Sequence, residues 1–155
     1  MQTMYAGKYM NMYGWPGAGG VQQVPAGWDS WHGLVSCQLP LRVLGQHYIY
    51  CHVQVGNSKY YFYTLSVNGE AERHGGNYAE DYLTDLLHAR ALEFLDSRDT
   101  EKPFLLVVAP PASHAPFTPA PQYRDRFPNL TAPRLPSFNV DSGATKHWLT
   151  RQGDR

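Results

Sequence analysis

The sequence predicts an α/β fold, one part of a doubly wound sheet, and three segments carry that expectation. Residues 59–67 alternate in the manner of a half-buried strand and run into Asn68-Gly69. Residues 77–97 carry apolar side chains at helical spacing. The run Phe104-Leu105-Leu106-Val107-Val108-Ala109 is continuously apolar and is followed at once by a proline-rich loop with one histidine, His114. Strand, helix, short polar link and apolar strand, in that order, are the parts from which helices are laid against a parallel sheet.

Residues 14–33 are rich in Gly, Trp and Pro and read as irregular loop. No Gly-Lys-Ser/Thr closes the glycine run, so it is not a phosphate cradle. Trp28 and Trp31 either line a sugar site or, more commonly for rings under a long loop, form a satellite cluster. In the alternating segment, Tyr61, Tyr63, Leu65 and Val67 share one face, while Tyr60, Phe62, Thr64 and Ser66 share the other. Asn68-Gly69 has the chemistry of a two-residue hairpin turn, with a short return strand over residues 70–74. Asn77 is placed to cap a helix, with Glu80 three residues on as in a capping box. Tyr82, Leu83, Leu86, Leu87, Ala91, Phe94 and Leu95 form its apolar stripe, which ends near Ser97. Phe104–Ala109 then reads as a buried strand. Beyond Pro116 the chain is proline-rich surface loop, with a short helix near Tyr123.

A length of 155 residues suits one domain with its own core. With 43% apolar and 17% charged residues, the chain is too apolar for disorder and too interrupted for a membrane span. Thirteen basic residues balance thirteen acidic ones, so no footprint for nucleic acid is present. Eleven tyrosines suit a sugar-facing surface, although most such rings serve packing. Met1-Gln2-Thr3-Met4 has neither the charged start nor the apolar stretch of a signal peptide.

The candidate chemistry lies in two short segments. Gly7-Lys8-Tyr9 opens one, and Ser113-His114-Ala115-Pro116 follows the apolar run. In open α/β sheets ligands gather outside the carboxyl ends of the strands. A lysine and a histidine brought together there would suit an anion, with Lys8 as a fixed charge and His114 as an anion ligand or proton carrier.

At these residues the chain resembles the sulfatase family, most closely its N-acetylglucosamine-6-sulfatases. The pattern recurs in Tyr13-Gly14, Gly19-Gly20, Asn57-Ser58-Lys59-Tyr60-Tyr61, Asn77-Tyr78, Asp81-Tyr82-Leu83-Thr84-Asp85, Ala120-Pro121-Gln122-Tyr123 and Lys146-His147-Trp148-Leu149. The resemblance implies a partial alkaline-phosphatase/sulfatase-like sheet. It implies hydrolysis of 6-O-sulfate on N-acetylglucosamine units of heparan or keratan sulfate, with a sulfated glycosaminoglycan as partner, calcium in the full-length enzyme and a lysosomal location. By the same resemblance, Lys8 and His114 contact the sulfate and the reacting groups, while Lys146, His147 and Asn11 are substrate-binding candidates. Asn129-Leu130-Thr131 is a glycosylation sequon, relevant if the chain enters the secretory pathway.

The family's Cys-x-Pro-Ser-Arg segment, whose first residue becomes formylglycine, is absent, since Cys37 precedes Gln38-Leu39 and Cys51 precedes His52-Val53. The acidic pair and Asp-Asn-Gly that hold calcium are absent too, so the chain is expected to be an internal fragment of a longer enzyme. Residues 35–56 depart from the family and read as an atypical insertion, such as a retained intron, poorly packed or outside the sheet. Within it, Cys37, His47, Cys51 and His52 have zinc-ligand chemistry but no common finger spacing. Cys37 and Cys51 would pair only in an oxidising compartment, and two free thiols is the simplest reading. A second functional reading is a non-catalytic carbohydrate-binding or regulatory fragment.

Overall fold

The computed structural model describes residues 1–36, 58–140 and 147–148. The chain divides into two compact units, Met1–Ala120 and Pro121–Arg155. The first contains a five-stranded sheet. Its strands are β1 (Gln2–Lys8), β2 (Ser30–Leu34), β3 (Thr64–Val67), β4 (Glu70–Arg73) and β5 (Phe104–Ala109), in the spatial order β4-β3-β2-β1-β5. β1 runs parallel to both its neighbours, β2 and β5, whereas β3 and β4 complete the sheet antiparallel. The expected α/β class holds, with a mixed rather than wholly parallel sheet.

The hairpin forms as its turn chemistry requires. Asn68 and Gly69 take φ of 50° and 93°, the left-handed pair that closes a two-residue turn, and Val67 pairs with Glu70. Asn68 also accepts a hydrogen bond on Oδ1 from the Trp31 amide at 2.8 Å and donates its own amide to the Trp31 carbonyl at 2.8 Å. The turn thereby fastens β3 to β2. The strand before it is shorter than the alternation predicted. Residues 60–62 are bends, with Phe62 at φ 53°, although the Phe62 amide still donates to the Gly75 carbonyl and the His74 amide to the Tyr63 carbonyl in continuation of the β3–β4 register.

The predicted helix is broken in two, α1 (Tyr78–Asp81) and α2 (Leu83–Ser97). Asn77 caps α1 by accepting from the Ala79 amide at 3.2 Å. The reciprocal bond comes from Asp81, whose carboxylate accepts from the Asn77 amide at 2.8 Å, not from Glu80. The break lies at Tyr82, which is extended (ψ 109°) because tertiary partners hold it. Its hydroxyl donates to the Thr118 carbonyl, and the next amide, Leu83, donates to the Tyr60 carbonyl.

α2 lays Leu83 and Leu87 against Met4, Ala6, Leu34 and Leu65 on one face of the sheet. The other face is covered, among the described residues, by aromatic side chains under the loop of residues 14–29. Tyr5, Tyr13 and Trp31 are buried there, with Tyr9 and Trp28 packed against them. Trp31, expected in loop, lies in β2 and is fully buried, which removes it from any sugar-facing role. Tyr5 stacks on it with ring centroids 4.8 Å apart. The bland reading of these rings, a cluster beneath a loop, is the one observed.

Two further expectations are corrected. β5 is not a buried strand: it lies at the sheet edge, and Phe104, Leu105 and Val108 are 44%, 44% and 41% exposed. Val35 and Ser36, taken as the start of the insertion, are buried parts of the core. The Val35 amide donates to the Thr64 carbonyl at 3.0 Å and the Ser36 amide to the Tyr13 carbonyl at 2.9 Å. The rest of the insertion, from residue 37, lies outside the described residues.

The second unit contains a short 3-10 helix, Pro121–Tyr123, where a helix near Tyr123 was expected. Arg134 lies over the Phe138 ring at 4.7 Å.

Candidate active site

Lys8 is the last residue of β1, and β1 lies between β2 and β5. The preceding residue makes this position workable. Gly7 has φ +120°, and a Cβ there would lie 2.1 Å from the Ala109 carbonyl oxygen. Only glycine permits β1 and β5 to approach so closely at their carboxyl ends. The chain after Lys8 is held by the aromatic cluster. The Tyr5 hydroxyl donates to the Lys8 carbonyl, Trp31 Nε1 donates to the Tyr13 hydroxyl at 2.6 Å, and Tyr13 donates to the Gln23 carbonyl at 2.9 Å. The Ser36 hydroxyl donates to the Met10 carbonyl at 3.3 Å. No acidic side chain among the described residues pairs with the Lys8 ammonium, which leaves its charge available to an anion. Asn11 is exposed in the turn that follows.

His114 lies on the loop that leaves β5. Gly7 pairs with Ala109 across the parallel β1–β5 ladder, so the Lys8 and His114 segments depart from the same end of adjacent strands. The His114 amide donates to the Pro111 carbonyl at 2.7 Å, and its carbonyl accepts from the Phe117 amide at 3.0 Å. The imidazole Nδ1 is 2.8 Å from the Ala115 carbonyl oxygen. Only a protonated Nδ1 can bond there, so Nε2 is the ring nitrogen left for a ligand. The side chain is exposed.

Two loop anchors were not foreseen from sequence. Tyr60 donates its hydroxyl to the His114 carbonyl at 2.8 Å, and Tyr82 donates to the Thr118 carbonyl at 3.1 Å. Both rings are buried in one cluster with Ala120. Tyr60 stood within the Asn-Ser-Lys-Tyr-Tyr motif, and its placement on the strand face opposite Tyr61 concealed the role.

The remaining candidates belong to the second unit or lie outside the described residues. His147, in the second unit, is exposed, with its ring 5.6 Å from Trp148. Asn129 is exposed in a turn of that unit. Lys146 and the four insertion residues Cys37, His47, Cys51 and His52 lie outside the described residues. Among the described residues no group of three or more His, Cys, Asp or Glu is arranged to hold a metal ion, so the described donor set does not fit the calcium that the resemblance implies. No described helix is long and apolar enough to cross a membrane.

A cavity of about 410 Å³ lies at the other end of the sheet, lined by Gln2, Asp29, Ser30, His32, Arg90 and Glu93 among others. It borders the amino ends of β1 and β2, whereas open α/β sheets present their chemistry at the carboxyl ends. Its His32 is held below the ordinary histidine value, first by burial and then by Arg90. A histidine kept neutral beside an arginine already bonded to both Glu72 oxygens is a packed core residue.

A family profile described as Sulfatase matches residues 26–137. N-acetylglucosamine-6-sulfatase of Homo sapiens is 47% identical over 151 residues, covering 97% of this chain and 24% of that protein. The protein of the same name from Capra hircus is 46% identical, covering 97% of this chain and 23% of its own length. The chain therefore spans about a quarter of the length of these relatives. A putative extracellular sulfatase Sulf-1 homolog of Caenorhabditis elegans is 35% identical over 154 residues, covering 97% of this chain and 18% of that protein. Among solved structures, that of BT4656 in complex with its substrate, D-glucosamine-2-N,6-O-disulfate, superposes with a TM-score of 0.54. It is 26% identical and covers 87% of this chain and 21% of the other.

Proposed function

The chain belongs to the sulfatase family, and on that premise we propose that it is part of the catalytic α/β domain of a sulfuric ester hydrolase acting on 6-O-sulfated N-acetylglucosamine. The substrate would be a sulfated glycosaminoglycan such as heparan or keratan sulfate, and the compartment lysosomal. The observation that carries this reading is topological. Lys8 ends β1, and the His114 loop leaves β5, its parallel neighbour, at the same end. The identity to N-acetylglucosamine-6-sulfatases over nearly the whole chain supports the choice of substrate.

In this reading Lys8 holds a sulfate oxygen and offsets the negative charge that builds up as the ester bond breaks. His114 presents Nε2 to the sulfate or to the leaving oxygen, where it can donate a proton to the departing sugar hydroxyl. The formylglycine nucleophile and the calcium of such an enzyme would be supplied by other parts of the longer protein. Asn11, Lys146 and His147 are proposed to bind sugar hydroxyls or a carboxylate. Asn129, exposed in its turn, would carry a glycan on a secreted or lysosomal product.

The test is Lys8→Ala and His114→Ala in the complete protein, assayed on an N-acetylglucosamine-6-sulfate substrate. Each should lower kcat/KM by about 100-fold or more. Activity within threefold of the parent for both would remove them from the site. Retained sugar binding with no turnover by the complete parent protein would favour the carbohydrate-binding reading.

A further inference from the structure

We propose that Tyr60 is a positioning residue for His114, acting through the hydrogen bond from its phenol to the His114 carbonyl. The inference rests on the assignment of His114 to the active site and goes beyond it by naming what fixes that side chain.

The loop carrying His114 has little of its own to hold it. Residues 112–117 all expose their side chains, so packing does not fix the loop. What remains is hydrogen bonding: besides the His114 amide on the Pro111 carbonyl and Nδ1 on the Ala115 carbonyl, both within the same stretch of chain, two bonds meet at one atom. The His114 carbonyl oxygen accepts from the Phe117 amide at 3.0 Å and from the Tyr60 hydroxyl at 2.8 Å. The first bond is internal to the loop and moves with it. The second ties the loop to the body, across 54 residues of sequence.

Tyr60 is built to be a rigid anchor. It is only 3% exposed, and its ring stacks on Tyr82 with an interplanar angle of 15°. Its own carbonyl accepts from the Leu83 amide at 3.0 Å, which joins it to the first turn of α2. α2 in turn packs on the sheet that carries Lys8. A continuous path of packed and hydrogen-bonded groups thus runs from the β1 sheet, through α2 and Tyr60, to the backbone of His114. Tyr82 adds a parallel bond four residues further on, from its hydroxyl to the Thr118 carbonyl. Burial, with Tyr82 beside it, holds the Tyr60 phenol above its ordinary value of 10, so it remains a donor through the neutral and acid range.

A phenylalanine at this position would keep the ring packing and lose only the bond. Since a catalytic group displaced by about 1 Å can cost roughly 100-fold in rate, loss of one of two anchors should lower kcat about tenfold with little change in KM.

The experiment is a double-mutant cycle in the complete sulfatase, with Tyr60→Phe and His114→Ala alone and combined, measuring kcat and KM on an N-acetylglucosamine-6-sulfate substrate. Expected is a tenfold loss of kcat for Tyr60→Phe in the parent and none in the His114→Ala background. A purely structural role would give the same loss in both backgrounds, and that additive result would overturn the proposal. So would an unchanged kcat for a folded Tyr60→Phe. If His114→Ala itself has no effect, it is the assignment of His114 to the site that fails. Should Tyr60→Phe not fold, Tyr82→Phe in the same cycle reads the neighbouring anchor, with a smaller loss confined to the His114 background. Additivity there would equally overturn the proposal.

Discussion

Replacing Gly7 by alanine should open the join between β1 and β5 at the end from which both site segments leave. Two costs are involved. The backbone has φ +120°, which L side chains rarely adopt and which costs on the order of 1–3 kcal/mol. The added Cβ would also meet Ala109 at 2.1 Å from its oxygen, 2.6 Å from its carbonyl carbon and 3.2 Å from its Cα. All three are backbone atoms, so no side chain can swing aside. Restoring ordinary contact requires β1 and β5 to part by roughly 1 Å, enough to weaken the last ladder bond, worth about 1 kcal/mol net. Together these predict a loss of about 3 kcal/mol, read by equilibrium urea denaturation of the 155-residue chain. Gly17→Ala is the control, because no heavy atom lies within 4 Å of its added Cβ. It should be neutral or stabilising by up to about 1 kcal/mol. If Gly7→Ala were to lose less than about 0.5 kcal/mol, the close approach would not be what sets the strand spacing, and the argument for Gly7 would fall.

Asn68→Ala should cost about 2 kcal/mol in the same denaturation, since it removes the acceptor for the Trp31 amide and strains a left-handed turn position; Asn68→Gly should recover the turn share only. Stability should fall on acidification in two stages. His32 is held below its ordinary 6.5 chiefly by burial, so its contribution is complete above that value and is lost as pH drops through the lower folded one. Asp81 is held below 3.8, first by the Gly75 amide and also by the Asn77 amide and His74, so its share is lost only below that value. Thermal melts of His32→Gln and Asp81→Asn across pH 3–8 should each flatten their own stage; an unchanged profile would count against the assignment. The 155-residue chain by itself should not turn over a chromogenic aryl sulfate, because Lys8 and His114 supply charge and proton transfer without a nucleophile. Turnover above an inactive control would contradict this. Deleting residues 37–56 from the complete protein should preserve soluble yield better than deleting 35–56, which removes the buried Val35 and Ser36; equal yields would show those two residues to be dispensable.

Much of the fold was legible because its signals are local. The Asn68-Gly69 turn, the cap at Asn77, the apolar stripe of α2 and the bounds of β5 each depend on neighbours within a few residues, and each forms close to its expected place. β1 and β2 were not legible. Both faces of β1 are covered, so Thr3, Met4, Tyr5 and Ala6 are buried in succession and no alternation marks the strand. Nothing near Gly7 in the sequence marks its approach to Ala109. Trp31 lies in a glycine-rich stretch, and only the rings of Tyr5 and Tyr13 reveal a core there.

The sequence by itself singled out Lys8 and His114 as candidate site residues and pointed to the family that the chain belongs to. Which strands adjoin, why the helix breaks at Tyr82, that β5 is an edge, and that Tyr60 holds His114 were decided only by the tertiary structure. The physical reason is range. Periodicity and capping record interactions between near neighbours, while the Gly7–Ala109 approach and the Tyr60–His114 bond join residues that meet only once the chain has folded.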